Sequence, residues 1–126
     1  MNTVPSSILE AARIGDVAYL RVTGRATFMA GPALKQFGAA SIKAGCTRIV
    51  VDAVACESMD STFLGVLAGL AGKLARETGG GIRMLNTGER LYEVIETLGI
   101  NQLLECRKLG VKPDPLVEPP GLLRPV

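Results

Sequence analysis

Residues 48–74 read RIVVDAVACESMDSTFLGVLAGLAGKL, and the change of pattern inside this stretch decides the fold. Arg48–Asp52 is a short β-branched run of the kind found in strands covered on at least one face. Thr62–Arg76 reads as a helix of unusually wide apolar character. Phe63, Leu64, Val66, Leu67, Leu70 and Leu74 supply bulk, while Gly65, Ala68, Gly69, Ala71, Gly72 and Ala75 supply a small-residue surface. Each interior glycine costs up to about 1 kcal/mol relative to alanine, so close packing against the sheet or a partner is expected to compensate. Between strand and helix stands Met59–Leu67, MDSTFLGVL, where an acid and two hydroxyls meet the start of the helix. A hydroxyl there can cap the helix, act as a nucleophile or accept a phosphate.

Upstream, Ile8–Ile14 and Val17–Thr23 have β character and are separated by Gly15-Asp16, a turn pair, so they read as a hairpin. Gly31-Pro32 opens a first helix with Leu34, Phe37 and Ile42 on its apolar side and Gly45 as its stop. Downstream, Gly79, Gly80 and Gly81 form a turn, Ile82–Asn86 is the next strand, and Thr87 is expected to cap a third helix. Leu91, Val94, Ile95 and Leu98 give that helix its i, i+3, i+4, i+7 face, with Gly99 as the stop. Leu103–Leu109 reads as a last strand or irregular edge. From Lys112 the chain runs KPDPLVEPPGLLRPV, with five of the seven prolines, and reads as an extended tail with Leu116, Val117, Leu122 and Leu123 available for docking.

Two successive strand-helix units require right-handed crossovers and parallel pairing, and the opening hairpin adds an antiparallel pair. The fold class is therefore α/β, a small mixed β-sheet with a parallel core and an N-terminal antiparallel hairpin, packed by helices. Residues 1–110 form the expected single domain and 111–126 a proline-rich tail.

The 126 residues suit one domain with a real core, and a formal charge of +2 with scattered basic residues argues against nucleic acid or an anionic membrane as the main partner. Three cysteines, Cys46, Cys56 and Cys106, and no histidine argue against a disulfide framework or a zinc site. The start of the chain has no basic n-region or apolar h-region, and the longest apolar stretch, Phe63–Gly72, is about half the roughly 20 residues of a membrane span, so a cytoplasmic location is expected.

A serine nucleophile needs a base, and without histidine a conventional triad is excluded. No enzymatic activity, metal or cofactor is expected of this chain. Asp52, Glu57 and Asp60 are the nearest approach to a magnesium-binding set, but Asp52 reads better as a loop hydrogen-bond acceptor and Asp60 as a cap or recognition element. Gly79–Gly81 lacks phosphate-loop spacing. Cys56, near the same corner, reads as a small buried hydrophobe. For Ser61 there remains modification: a phosphate would be tolerated by the helix dipole, and its effect would fall on a partner because Glu57 and Asp60 already make the corner acidic. On spacing alone, capping by Ser61 or Thr62 stays ahead.

The chain resembles the STAS domain, found in bacterial anti-sigma factor antagonists and in the cytoplasmic ends of sulfate transporters, over about Val17–Leu104. The resemblance rests on Arg48–Leu74 and on Ile82–Leu104, IRMLNTGERLYEVIETLGINQLL. It implies a STAS fold and an anti-sigma factor antagonist that regulates transcription by partner switching, with an anti-sigma factor that is itself an ATP-dependent serine kinase as partner. ATP would belong to that kinase. Ser61 is then the phosphorylated residue, with Thr62 the less favoured one, and Asp60, Ser61, Thr62, Phe63 and Leu64 form the partner-binding surface; a homodimer is compatible with this. The family usually has glycine where this chain has Phe63, and often an acid where it has Arg25, Ala26 and Thr27. The competing expectation is a constitutive interaction module in which Phe63 and the apolar helix form a fixed interface without a switch.

Overall fold

A computed structural model describes residues 6–110 and 123–126. The opening hairpin forms as β1 (Ser7–Ile14) and β2 (Val17–Ala26), paired antiparallel along the whole of β1. A one-turn 3-10 segment, Phe28–Ala30, leads into α1 (Gly31–Lys43), with proline in the first turn where no N–H is needed. β3 (Arg48–Asp52) is followed by β4 (Cys56–Met59), α2 (Ser61–Thr78), β5 (Gly81–Thr87), α3 (Glu89–Thr97), β6 (Leu104–Lys108) and a two-residue β7 (Arg124–Pro125).

The strands lie in the order β6-β5-β3-β2-β1-β7, with β4 paired to β2 off this path. β2, β3, β5 and β6 are parallel neighbours, so the expected parallel core with an antiparallel hairpin is the observed sheet. Each parallel connection steps in the same direction across the sheet, and right-handed crossovers put the helices on one face. Against that face Leu20, Val22, Ile49, Val51, Met84 and Leu104 meet Leu34, Phe63, Leu64, Leu67, Leu74 and Ile95 in one continuous core.

Several expectations need correction. Cys56–Met59, to which the sequence pattern gives no element because CESM has no strand period, pairs in parallel with the last residues of β2 across a register shift at Gly24 and Arg25. Thr87 does not cap α3: it is the buried last residue of β5, and Gly88 stands at the N-cap with no side chain to offer. Within the chain, Gly65 and Gly69 of α2 are not close-packing sites. That role falls to Gly38 of α1, where a Cβ would lie 2.5 Å from Leu70 Cδ1. On α3, Leu91 and Ile95 are buried but Val94 and Leu98 remain 38% and 46% exposed, so the apolar face is only half used. Leu104–Lys108 is a true strand, the outermost on its side.

The tail expectation falls mostly on residues 111–122, outside the described residues. Its end is not free, however. Arg124 and Pro125 pair with Ala11 and Glu10 of β1, and the Val126 N–H donates to the Leu9 carbonyl. An edge position suits proline, which has no N–H to leave unpaired there.

Candidate functional site

The carboxyl ends of the parallel strands converge with the start of α2, and two aspartates organise the corner. Asp52 ends β3 and is 2% exposed. Its Oδ1 accepts from the Val54 N–H at 3.1 Å and from Asn86 Nδ2 at 2.9 Å, and its Oδ2 lies 3.3 Å from Arg21 Nε. These bonds tie the end of β3 to the middle of β2 and the end of β5. Asp52 is thus the loop acceptor its position suggested, with both oxygens engaged by protein donors.

Asp60 is the N-cap of α2, in an extended conformation. Its Oδ1 accepts from the Phe63 N–H at 2.8 Å, the N3 donor of the helix, and its Oδ2 accepts from the Phe28 N–H at 2.7 Å. Its own N–H donates to the Ala26 carbonyl at 2.9 Å. One residue therefore closes the helix end and holds the β2–α1 connection against it. A cap of this kind is worth about 1 kcal/mol. The expectation that Ser61 or Thr62 caps the helix is corrected by this geometry, because the orphan donor they would have satisfied is already taken.

Ser61 and Thr62, the first two residues of α2, are exposed, and neither hydroxyl makes a side-chain hydrogen bond with another described residue. Phe63 and Leu64 correct the expected partner-binding set: both are 0% exposed and belong to the core. Because the Phe63 ring turns inward, the aromatic that replaces the family's usual glycine leaves the surface around Ser61 open. The apolar surface at the corner comes instead from Phe28 and Met29, exposed by 64% and 75%, on the connection between β2 and α1. Thr27 accepts from the Met29 N–H at 3.3 Å and so holds the 3-10 turn that presents them. The available signal was FMA between a strand end and the helix-opening Gly31-Pro32; its link to Asp60 spans 32 positions.

Cys56 is the thiol nearest the corner, and its surroundings favour its protonated form. Burial pushes the Cys56 thiol up to about 11, well above neutral pH, and its Sγ donates to the Ser58 carbonyl at 3.4 Å. At that value the protonated form dominates near neutral pH, which disfavours the nucleophilic thiolate. Glu57 and Arg25, 4.0 Å apart and both well exposed, form at most a weak surface pair. Among the described residues no group of three His, Cys, Asp or Glu side chains is placed to hold a metal ion. Among them, too, no helix is long and apolar enough to cross a membrane.

Residues 10–105 match the family model described as the Mlab STAS domain. No curated protein sequence matches the chain. Among solved structures, an anti-sigma factor antagonist from Mycobacterium paratuberculosis superposes with a TM-score of 0.69 at 24% identity, covering 87% of this chain and 92% of that one. The phosphorylated form of the Bacillus cell fate determinant SpoIIAA superposes at 0.62 with 15% identity, covering 79% and 91%. A murine anion transporter, Solute Carrier 26 family member A9, matches at 0.59 with 15% identity, over 74% of this chain and 18% of the transporter. At these identities the likeness is one of fold.

Proposed function

The chain belongs to the STAS domain family, and from that membership we propose that it is an anti-sigma factor antagonist working by partner switching, with Ser61 as the phosphorylated residue. The observation that carries this reading is the division of labour at the start of α2. Asp60 does the capping, so Ser61 stands exposed in the first helical turn with its hydroxyl uncommitted. A phosphate added there gains from the helix dipole and requires no capping bond to break. Beside Asp60 and the exposed Phe28 and Met29 it would place almost two further negative charges against any partner seated on the corner.

The partner is then an anti-sigma factor with serine kinase activity, which supplies the ATP; this chain contributes no catalysis, works in the cytoplasm and has Thr62 as a secondary acceptor. The contact surface is Asp60, Ser61 and Thr62, extended by Phe28 and Met29 in place of the buried Phe63 and Leu64. Phosphopeptide mapping of protein purified from its native host tests the site, and binding of Ser61→Ala and Ser61→Asp to the cognate anti-sigma factor tests the switch. Modification at Ser61 together with loss of binding in Ser61→Asp is expected. Equal binding of wild type and Ser61→Asp would leave a constitutive interaction module, the arrangement suggested by a STAS fold inside a transporter chain.

A further inference from the structure

α1 and α2 meet where Gly38 admits Leu70. Beside this contact lies a groove of about 510 Å³, floored by Ile42, Val66 and Leu70 and reaching Thr62 at one end. Gly65 and Gly69 stand on its α2 side, and a Cβ added at either would meet no atom within 4 Å. These glycines keep a surface open; they do not serve a contact within the chain. The charged residues lining the groove are Lys35 and Lys73, and neither makes an ion pair among the described residues.

The geometry sets the spacing of the two charges. Both helices run antiparallel to the parallel strands and so run the same way, with Gly38 level with Leu70. Lys35 lies three residues before Gly38 and Lys73 three residues after Leu70, so their stems leave about 9 Å apart along the helix axes at 1.5 Å per residue. On a guest helix, residues i and i+7 are separated by about 10.5 Å, with i+3 and i+4 on the same face between them. A second copy of this chain is a poor guest, since groove against groove would gather four lysines around an apolar seam with no acid to answer them.

We infer that the α1–α2 groove docks an amphipathic helix of a partner protein that carries acidic side chains two turns apart, which pair with Lys35 and Lys73 across apolar residues seated on Val66 and Leu70. The groove does not include Ser61, and the inference does not depend on the switch at that residue.

The test uses the full chain and a labelled alanine-based helical peptide with two glutamates seven residues apart and two leucines between them. A second peptide has lysines in place of the glutamates. Wild type is expected to bind the glutamate peptide about tenfold or more tightly than the lysine peptide. Lys35→Glu combined with Lys73→Glu reverses that preference, and Gly69→Leu, with an unchanged far-UV circular dichroism spectrum, removes binding of the glutamate peptide. Ser61→Ala binds as wild type does, which separates this result from the switch. No binding of the glutamate peptide, equal binding of both peptides, or an unchanged preference in the charge-reversed variant would overturn the inference. So would a wild-type dimer in sedimentation that Gly69→Leu makes monomeric, which would assign the groove to a second copy.

Discussion

Phe28 and Phe63 donate their backbone N–H groups to the two oxygens of one carboxylate, at 2.7 Å and 2.8 Å, yet one ring is 64% exposed and the other not at all. Asp60 is the hinge between them. On the side of α2 it starts a helix whose third residue drops into the core; on the side of the β2–α1 connection it holds a 3-10 turn that lifts its aromatic into solvent. A phenylalanine near a hydroxyl pair is thus no guide to an interface. Burial follows from which side of the cap the backbone turns, and the exposed aromatic at the corner comes from the connection 32 positions earlier in the chain.

The sharpest way to break this contrast is to truncate the buried ring. Phe63→Ala should cost about 3–5 kcal/mol of unfolding free energy, the range for emptying an aromatic site in a core. That is a large share of a total of about 5–15 kcal/mol, and a urea midpoint reads it directly. A loss below about 1 kcal/mol would show that the ring is not a core residue.

Removing the hinge comes next. Asp60→Ala should destabilise by about 1–2 kcal/mol through the lost cap, with the exposed Phe28 N–H turning to water, while Asp60→Asn recovers most of the loss because asparagine caps nearly as well. If both variants unfold at the wild-type urea concentration, the cap does not hold the corner.

Gly69→Ala tests the outer side of the helix that buries Phe63. It should add about 0.5–1 kcal/mol, since the new methyl meets open space and the helix loses a flexible residue. Destabilisation in thermal melts would mean that this face is packed after all.

The smallest stability effect belongs to the exposed ring. Phe28→Ala should change unfolding free energy by less than about 0.5 kcal/mol. The same variant should weaken binding of the anti-sigma factor in a titration, so that the two phenylalanines separate stability from recognition. Unaltered binding would confine recognition to Asp60, Ser61 and Thr62.

Much of the fold was legible because its signals are local. β3 was readable from a β-branched run, α3 from apolar spacing, the hairpin from Gly15-Asp16 and the start of α1 from Gly31-Pro32. β4 was not, since four residues with no alternation become a strand only when the end of β2 offers them a partner. Thr87 looked like a cap because hydroxyls cap helices, but strand pairing carries β5 one residue further and buries it. At the corner, the acid and the two hydroxyls were visible as a set, but the division of roles among them was not.

Local pattern determined the alternation of strands and helices and the presence of an acid-hydroxyl corner, because period, turn residues and proline placement act within a few positions. Tertiary structure alone decided that Asp60 caps, that Ser61 is left uncommitted, that Phe63 is buried and Phe28 exposed, and that Gly65 and Gly69 of α2 face a groove. Each of these depends on which distant backbone group or side chain arrives at the corner or on the outer face of α2, and chain closure, not periodicity, brings them there.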